Sequence, residues 1–275
     1  MAIRLIVNAD DYGRSANVSR GIRDSYLHGI LTSTTCMMNM PTVVDDIKIA
    51  QHETPELGMG VHLVLTAGRP LSPTEEVSTL VKADGSFWKL DQLIANRAQI
   101  DPAQVKAEWH AQIEKFIATA GHKPTHIDSH HHSSYFTPAF FQAMLELAHE
   151  YDIAVRLPVE PEARETMAGI PAEMFQPIAE HAPRLLAQFH PRHPDAFFAS
   201  FYDDLATQEE LIRIIDSLSD GTFEIMTHPG YSDPDLITGT SYAVQRDREL
   251  VILTSAEVIA EVKKRNIELI NFGQL

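Results

Sequence analysis

Residues 125–132 read Thr-His-Ile-Asp-Ser-His-His-His, the densest group of potential metal ligands in this 275-residue chain. The β-prone start of the stretch predicts a strand that runs out into a loop. Alternate residues of a strand share a face, so Asp128 and His130 are expected to point into one pocket. Composition alone also allows a histidine-rich surface turn, because isolated histidine clusters are commonly incidental. The rest of the sequence favours the pocket.

A second polar group follows the first predicted strand. Residues 3–9 are almost continuously apolar, as expected of a strand buried in a parallel sheet, and Asn-Ala-Asp-Asp-Tyr-Gly occupies residues 8–13. Two adjacent carboxylates after a buried strand are costly unless a cation, a basic residue or hydrogen bonds compensate them. Aspartate is also a common helix cap, but Ser15 and Asn17 lie closer to the next predicted helix. The two aspartates are therefore candidates for chemistry.

His62 lies near the end of another predicted strand, residues 57–65, among apolar neighbours. Taken alone, such a residue is more often a hydrogen-bonded core histidine than a ligand. Its position near a strand end matches the positions of Asp10, Asp11 and His130. We therefore predict that His62 joins them at one site.

Predicted strands and helices alternate along the whole chain. Strands are expected at residues 3–9, 31–40, 57–65, 125–130, 153–157, 223–227 and 267–272, and helices at 18–28, 43–52, 101–121, 137–151, 208–218 and 255–265. This alternation predicts an α/β fold, a TIM-like (β/α) barrel of seven or eight strands that forms a single domain over residues 1–275. An open doubly wound sheet is less favoured, because its first turn is normally glycine-rich.

Two stretches interrupt the alternation. Residues 66–100 contain several glycines and prolines and predict a lid insertion, in which Trp88 either stacks on a sugar ring or anchors the loop. Residues 158–195 predict a second insertion of irregular and short helical structure. Residues 231–253 are expected to be flexible, and Thr254 with Glu257 resembles a capping box for the last helix.

Composition excludes several classes of partner. The formal net charge of −16 argues against nucleic acid and anionic membrane surfaces. The single cysteine, Cys36, permits no internal disulfide and is interpreted as a buried structural thiol. The N-terminus lacks the pattern of a signal peptide, and no run of about 18 apolar residues occurs. A cytoplasmic location is therefore expected.

The candidate residues together predict a metal centre. Asp11, His62 and His130 would form a site of two histidines and one carboxylate that leaves positions open on a divalent cation. Asp10 is then placed to act as general base on a water molecule. Asp128 is expected to hydrogen-bond a ligating imidazole and fix its tautomer.

Two further residues are candidates for catalysis. Arg156 is predicted either to pair with Asp10 and keep it ionised or to form a surface salt bridge. His228 precedes a Pro-Gly turn and is predicted either to protonate a leaving group or to stabilise its loop.

Four stretches in the first half of the chain resemble the YdjC-like carbohydrate deacetylases, and within them the chitooligosaccharide deacetylases. They are residues 8–13, residues 29–35, the sequence Gly-Val-His-Leu-Val-Leu-Thr at 60–66, and Lys-Pro followed by the histidine stretch at 123–132. The second half is similar more loosely, through His228-Pro229 and residues 253–256. In the family the histidine run commonly continues with Val-His, whereas Ser133 and Ser134 stand here.

The resemblance implies a (β/α) barrel, a homodimer, and a magnesium ion held by Asp11, His62 and His130 with Asp10 as base. The expected substrate is a small N-acetylated saccharide. Two imidazole ligands would instead favour zinc or a similar ion, so Mg²⁺ and Zn²⁺ both remain candidates. A sugar isomerase, a phosphoesterase and a non-catalytic carbohydrate-binding protein are the alternatives; the first normally needs more carboxylate ligands, and the second needs a more basic pocket.

Overall fold

Parallel strands form one curled sheet in the computed structural model, which describes residues 2–157 and 176–275. The strands are β1 Ile3–Tyr12, β2 Ser33–Cys36, β3 Gly58–Leu63, β4 His126–Ser129, β5 Ala154–Val155, β6 Ala196–Phe198, β7 Gly221–Thr227 and β8 Glu268–Leu269. Their order is β5-β4-β3-β2-β1-β7-β6, and β8 pairs with the start of β1. This all-parallel α/β sheet is consistent with the predicted (β/α) barrel.

The two end strands of this order approach each other. The backbone N–H of Val155 in β5 donates to the carbonyl of Arg192, a few residues before β6, at 2.9 Å. Fully buried apolar side chains of β1, β2 and β3 contribute to the core, which the helices cover. Parallel strands place all their carboxyl ends at one edge of the sheet, so the residues that follow them meet there.

Helices follow most of the strands. They are α1 Ala16–His28, α2 Val43–Glu53, α3 Leu90–Asn96, α4 Pro102–Ala120, α5 Pro138–Tyr151, α6 Gln176–Phe189, α7 Gln208–Ser217, α8 Pro234–Gly239, α9 Val244–Leu253 and α10 Ala256–Lys264. The side chain of Ser15 caps α1 by accepting from the backbone N–H of Val18, which leaves Asp10 and Asp11 free of that role. Among the described helices, none has both the length and the apolar character needed to cross a lipid bilayer.

Three expectations about the second half were wrong. The stretch at 231–253 contains α8 and α9 and is not an unstructured connection. Ser255, and not Thr254, caps α10, because its hydroxyl accepts from the backbone N–H of Val258. The described part of the second predicted insertion contains the 14-residue helix α6; residues 158–175 of that insertion lie outside the described residues.

Helix α4 anchors the segment at 66–100. The two carboxylate oxygens of Glu108 accept the backbone N–H groups of Leu71 and Ser72, both at 3.0 Å. Trp88 donates its indole N–H to the carbonyl of Thr79 at 3.0 Å and packs against the core. Trp88 therefore anchors this segment, which was one of its two predicted roles.

Candidate active site

The polar residues that follow the strands meet at one edge of the sheet. A cavity of about 1130 Å³ opens there, and its lining includes Asp10, Asp11, His62, His130 and His228. Asp128 and Arg156 lie fully buried beside them. The structure thus brings together every residue that the sequence proposed for catalysis or metal binding.

Three side chains converge on one point in this cavity. The Oδ1 atom of Asp11 lies 3.2 Å from His130 Nδ1 and 3.5 Å from His62 Nε2. The two imidazole nitrogens are 3.3 Å apart. Asp11 Oδ1 is buried and has no hydrogen-bond partner among the described residues, an arrangement that is costly without a further ligand.

This donor set fits a divalent cation. Nitrogen and oxygen ligands about 2.1 Å from a tetrahedral cation are about 3.4 Å apart, close to the three separations seen here. All three residues are buried, and their ligand atoms form a group compatible with one ion. Asp11, His62 and His130 could therefore hold a metal.

Asp128 orients the imidazole of His62. The Nδ1–H of His62 donates to Asp128 Oδ1 at 2.6 Å, and the hydroxyl of Thr35 donates to Asp128 Oδ2 at 3.1 Å. Burial alone would lower the pKa of His62, but the carboxylates of Asp128 and Asp10 raise it to about 9. The contact is the one that the sequence predicted for Asp128, and it leaves Nε2 facing the convergence point.

The backbone around these residues is strained. Asp11 has a φ of 72°, and both His131 and His132 have a φ of 54°. Left-handed backbone at non-glycine residues costs on the order of 1–3 kcal/mol each and is concentrated at functional sites. The turn at 131–132 directly follows His130, and the aromatic ring of His131 stacks on that of His130 at 3.9 Å.

Arg156 is the hub of a buried ionic network. Its Nη1 and Nη2 atoms donate to the two oxygens of Asp10 at 2.8 and 2.7 Å. Nη1 also lies 2.8 Å from Asp128 Oδ2, and Nε donates to Glu224 Oε1 at 2.8 Å. The pairing with Asp10 was one predicted role of Arg156; the alternative, a surface salt bridge, is wrong because the side chain is completely buried.

Burial and the Arg156 guanidinium together determine the pKa values of the carboxyl groups in this network. Burial would raise the pKa of Asp10, but the adjacent Arg156 guanidinium lowers that pKa well below its usual range, so Asp10 stays ionised. Burial raises the pKa of Glu224 to about 8, more than Arg156 lowers it. Asp10 therefore carries a negative charge at the cavity, beside that of Asp11.

His228 lies beside the second oxygen of Asp10. Its Nε2 atom is 3.8 Å from Asp10 Oδ2, and its backbone N–H donates to Glu249 Oε2 at 2.5 Å. Burial lowers the pKa of His228 to about 4, so the ring is neutral in this structure. Its Nδ1 atom is buried and has no partner among the residues described.

Several functional neighbours were not predicted. Arg246 in α9 forms a charge-assisted hydrogen bond with the second oxygen of Asp11, 235 positions away in sequence. Glu224 did leave a signal, because it is a charged residue within an otherwise apolar predicted strand. The sequence gives no sign of the role of Thr35, because threonine is common in strands whether or not it contacts a functional residue.

An aromatic pair lines another part of the cavity. Tyr202 and Tyr242 stack with ring centroids 4.4 Å apart and planes at 10°. The ring of His228 meets that of Tyr202 edge-on at 5.4 Å. The cavity lining also includes the apolar residues Leu90 and Ile94 of α3. Such surfaces suit the apolar faces of a sugar ring.

Several known proteins are similar to this chain in sequence, and one solved structure is also similar in fold. A "Carbohydrate deacetylase" of Clostridium beijerinckii is 38% identical over 99% of this chain and 100% of its own. Another, of Geobacillus stearothermophilus, is 37% identical over 98% of this chain and 96% of its own. A crystal structure of an Enterococcus faecalis V583 protein, named for cellobiose-phosphate cleavage, is 31% identical, with a TM-score of 0.86 over 100% of this chain and 99% of that one. The YdjC-like protein profile matches residues 4–264, and the chain belongs to that family.

Proposed function

We propose that this protein is a metal-dependent carbohydrate deacetylase that removes acetyl groups from small N-acetylated saccharides, chitooligosaccharides among them. The observation that carries the proposal is the unpartnered Asp11 Oδ1, which faces two imidazole nitrogens beside the ionised Asp10. Relatives of full length and 37–38% identity are named carbohydrate deacetylases, which supports the same reaction.

Asp11, His62 and His130 would hold the divalent cation. Such a cation polarises a carbonyl oxygen and lowers the pKa of a water molecule. The two imidazole donors favour zinc or a similar ion, whereas the family resemblance favours magnesium. Arg246 occupies the second oxygen of Asp11, so Asp11 offers the cation a single oxygen.

The proposed reaction is hydrolysis of the acetamide. Asp10 takes a proton from water as the water oxygen bonds to the acetyl carbon, and Arg156 holds Asp10 in place through two hydrogen bonds. The carbon–nitrogen bond then breaks as the nitrogen gains that proton, and the products are a free amine and acetic acid, which ionises to acetate by losing a proton to solvent. His228, next to Asp10 Oδ2, carries the proton from Asp10 to the leaving nitrogen.

Acetate release tests the proposal directly. N-acetylated mono- and disaccharides are incubated with the protein as purified, after chelation, and after chelation with Mg²⁺ or Zn²⁺ restored. We expect acetate from at least one sugar, loss of that activity with chelator, and recovery with one of the two ions. Phosphate release or ketose formation without acetate would favour the phosphoesterase or isomerase alternative. Saturable sugar binding without turnover would favour the carbohydrate-binding protein.

Tyr202 is expected to contribute to substrate binding. Tyr202→Ala removes an aromatic surface worth about 0.5–1.5 kcal/mol, so KM should rise about 2- to 13-fold with little change in kcat. Tyr202→Phe is the matched control, because it keeps the ring and should keep the KM. Steady-state kinetics on the best substrate measure both; an unchanged KM in Tyr202→Ala would exclude this role.

Residues 1–275 are proposed to form one barrel domain in which residues 66–100 cover the cavity. Lys89, Leu90 and Ile94 of that segment line the cavity, as a lid would require. The family resemblance supports a homodimer, and the single cysteine supports a cytoplasmic location.

A further inference from the structure

A second chain of hydrogen bonds reaches Asp10 from inside the barrel. Asn8 Nδ2 donates to Asp10 Oδ1 at 3.0 Å, and Asn8 Oδ1 lies 3.1 Å from His126 Nε2. His126 Nδ1 lies 2.9 Å from the hydroxyl oxygen of Thr125. Asn8 and His126 are completely buried. We call these three residues, Asn8, His126 and Thr125, the Asn8 relay.

The chemistry of these groups allows one arrangement of hydrogens. A carboxylate only accepts, so the amide nitrogen of Asn8 must face Asp10, and the amide oxygen must then face His126. That oxygen requires a hydrogen on His126 Nε2. Burial lowers the pKa of His126 well below its usual range, so the ring carries a single hydrogen and Nδ1 accepts from Thr125.

The surrounding structure holds the His126 ring in place. The ring stacks on Phe272, with centroids 3.7 Å apart and planes at 10°. Phe272 begins the 3₁₀ turn Phe272–Gln274 at the end of the chain. On β3, a Cβ atom at Gly60 would lie 2.6 Å from two atoms of the His126 ring, so glycine makes room for it.

The relay distinguishes the two oxygens of Asp10. Oδ1 accepts hydrogen bonds from both Asn8 and Arg156. Among residues 2–157 and 176–275, only Arg156 donates to Oδ2, which faces His62 and His228 at 3.9 and 3.8 Å. Because Asn8 and Arg156 both donate to Oδ1, Oδ2 is the oxygen that can accept a hydrogen bond from a water molecule.

We propose that Asn8 and His126 are positioning residues that hold the Asp10 carboxylate so that Oδ2 acts as the base. This inference rests on the proposed deacetylase function for its kinetic consequence, but not for the hydrogen-bond arrangement itself. Two experiments therefore test it separately.

The kinetic experiment compares two variants that each lack one buried hydrogen bond. The first bond is made to Asp10, and the second is made to the neighbouring residue Ala9. Asn8→Ala frees Asp10 Oδ1, and kcat should fall about 10- to 100-fold with KM and bound metal unchanged. Thr34→Val is the matched control, because the Thr34 hydroxyl donates to the carbonyl of Ala9 at 2.7 Å and does not touch Asp10. Its kcat should stay within about twofold of wild type. Equal losses in the two variants would overturn the positioning role.

The second experiment needs no activity. Nitrogen-15 NMR of the wild-type protein should show His126 with hydrogen on Nε2 and none on Nδ1, assigned by loss of the signals in His126→Gln. Asn8→Ala removes the acceptor that requires a hydrogen on Nε2, so a measurable fraction of the opposite tautomer should appear, whereas Thr125→Val should keep the hydrogen on Nε2. A wild-type His126 with hydrogen on Nδ1 would overturn the relay even if the protein is a deacetylase. If no sugar yields acetate, the proposed function fails, and the NMR result alone decides the relay.

Discussion

Asp10→Asn should reduce acetate release on the order of 10³-fold while the protein retains its cation. The substitution removes the carboxylate proposed as the general base, and general bases contribute about 10²–10⁴-fold to rates. The ligands Asp11, His62 and His130 keep their own contacts. Arg156 keeps Asp128 and Glu224 as partners, so the fold should survive. Turnover is measured as acetate release, and metal content by elemental analysis of the purified variant.

A matched control separates loss of the base from loss of any buried carboxylate. Asp46 is 2% exposed and accepts a hydrogen bond from the Ser19 hydroxyl at 2.8 Å, and its side chain does not line the cavity. Asp46→Asn should keep turnover within about twofold of wild type. If Asp10→Asn retains turnover, or if it loses its cation together with activity, Asp10 is not the base proposed here.

Arg156→Met should both inactivate the protein and destabilise it by about 3–5 kcal/mol. Removing one partner of a buried ion pair leaves uncompensated charge, and Arg156 has three carboxylate partners within 2.8 Å. The free energy of unfolding is measured by urea denaturation at several pH values. Because pairing lowers the pKa of Asp10 below its usual value of about 4, the stabilisation is present above that pH and is lost as pH falls through the folded pKa. The difference between variant and wild type should therefore shrink in acid.

Arg23 provides the comparison for this variant. It is 7% exposed and pairs with Glu53 at 2.8 Å, a carboxylate that remains about half exposed. Arg23→Met leaves no fully buried charge behind, so it should cost on the order of 1 kcal/mol and preserve activity. If the two variants are equally destabilised, the buried network around Arg156 does not stabilise the fold in the way described.

The parts of the site that were predictable lie at strand ends. Asp10, Asp11, His62 and His130 follow or end parallel strands, and the geometry of a parallel sheet alone brings such residues to one edge. Their identities also carry the chemical signal, because carboxylates and imidazoles beside buried apolar strands are costly without a function. Short sequence patterns at the strand ends therefore predict that these four side chains meet at one site. The structure brings Asp11 Oδ1 and His62 Nε2 to 3.5 Å.

Arg246 shows why the remainder could not be predicted. It lies on α9, in a stretch that contains Pro234, Gly239 and many polar residues and was expected to be flexible. Its contact with Asp11 depends on how that helix packs against α1, a long-range property with no local pattern. The helix cap at Ser255 was missed for a smaller reason, since Thr254 and Ser255 are both good caps and only backbone geometry distinguishes them.

The left-handed backbone at Asp11 bears on how the protein can be stabilised. Glycine or asparagine would adopt a φ of 72° at lower backbone cost, but either would leave the buried guanidinium of Arg246 without its carboxylate partner. Relaxing the backbone is worth on the order of 1–3 kcal/mol, and breaking a buried ion pair costs about 3–5 kcal/mol. Searches for heat-resistant variants should therefore leave aspartate at this position and find their gains elsewhere in the fold.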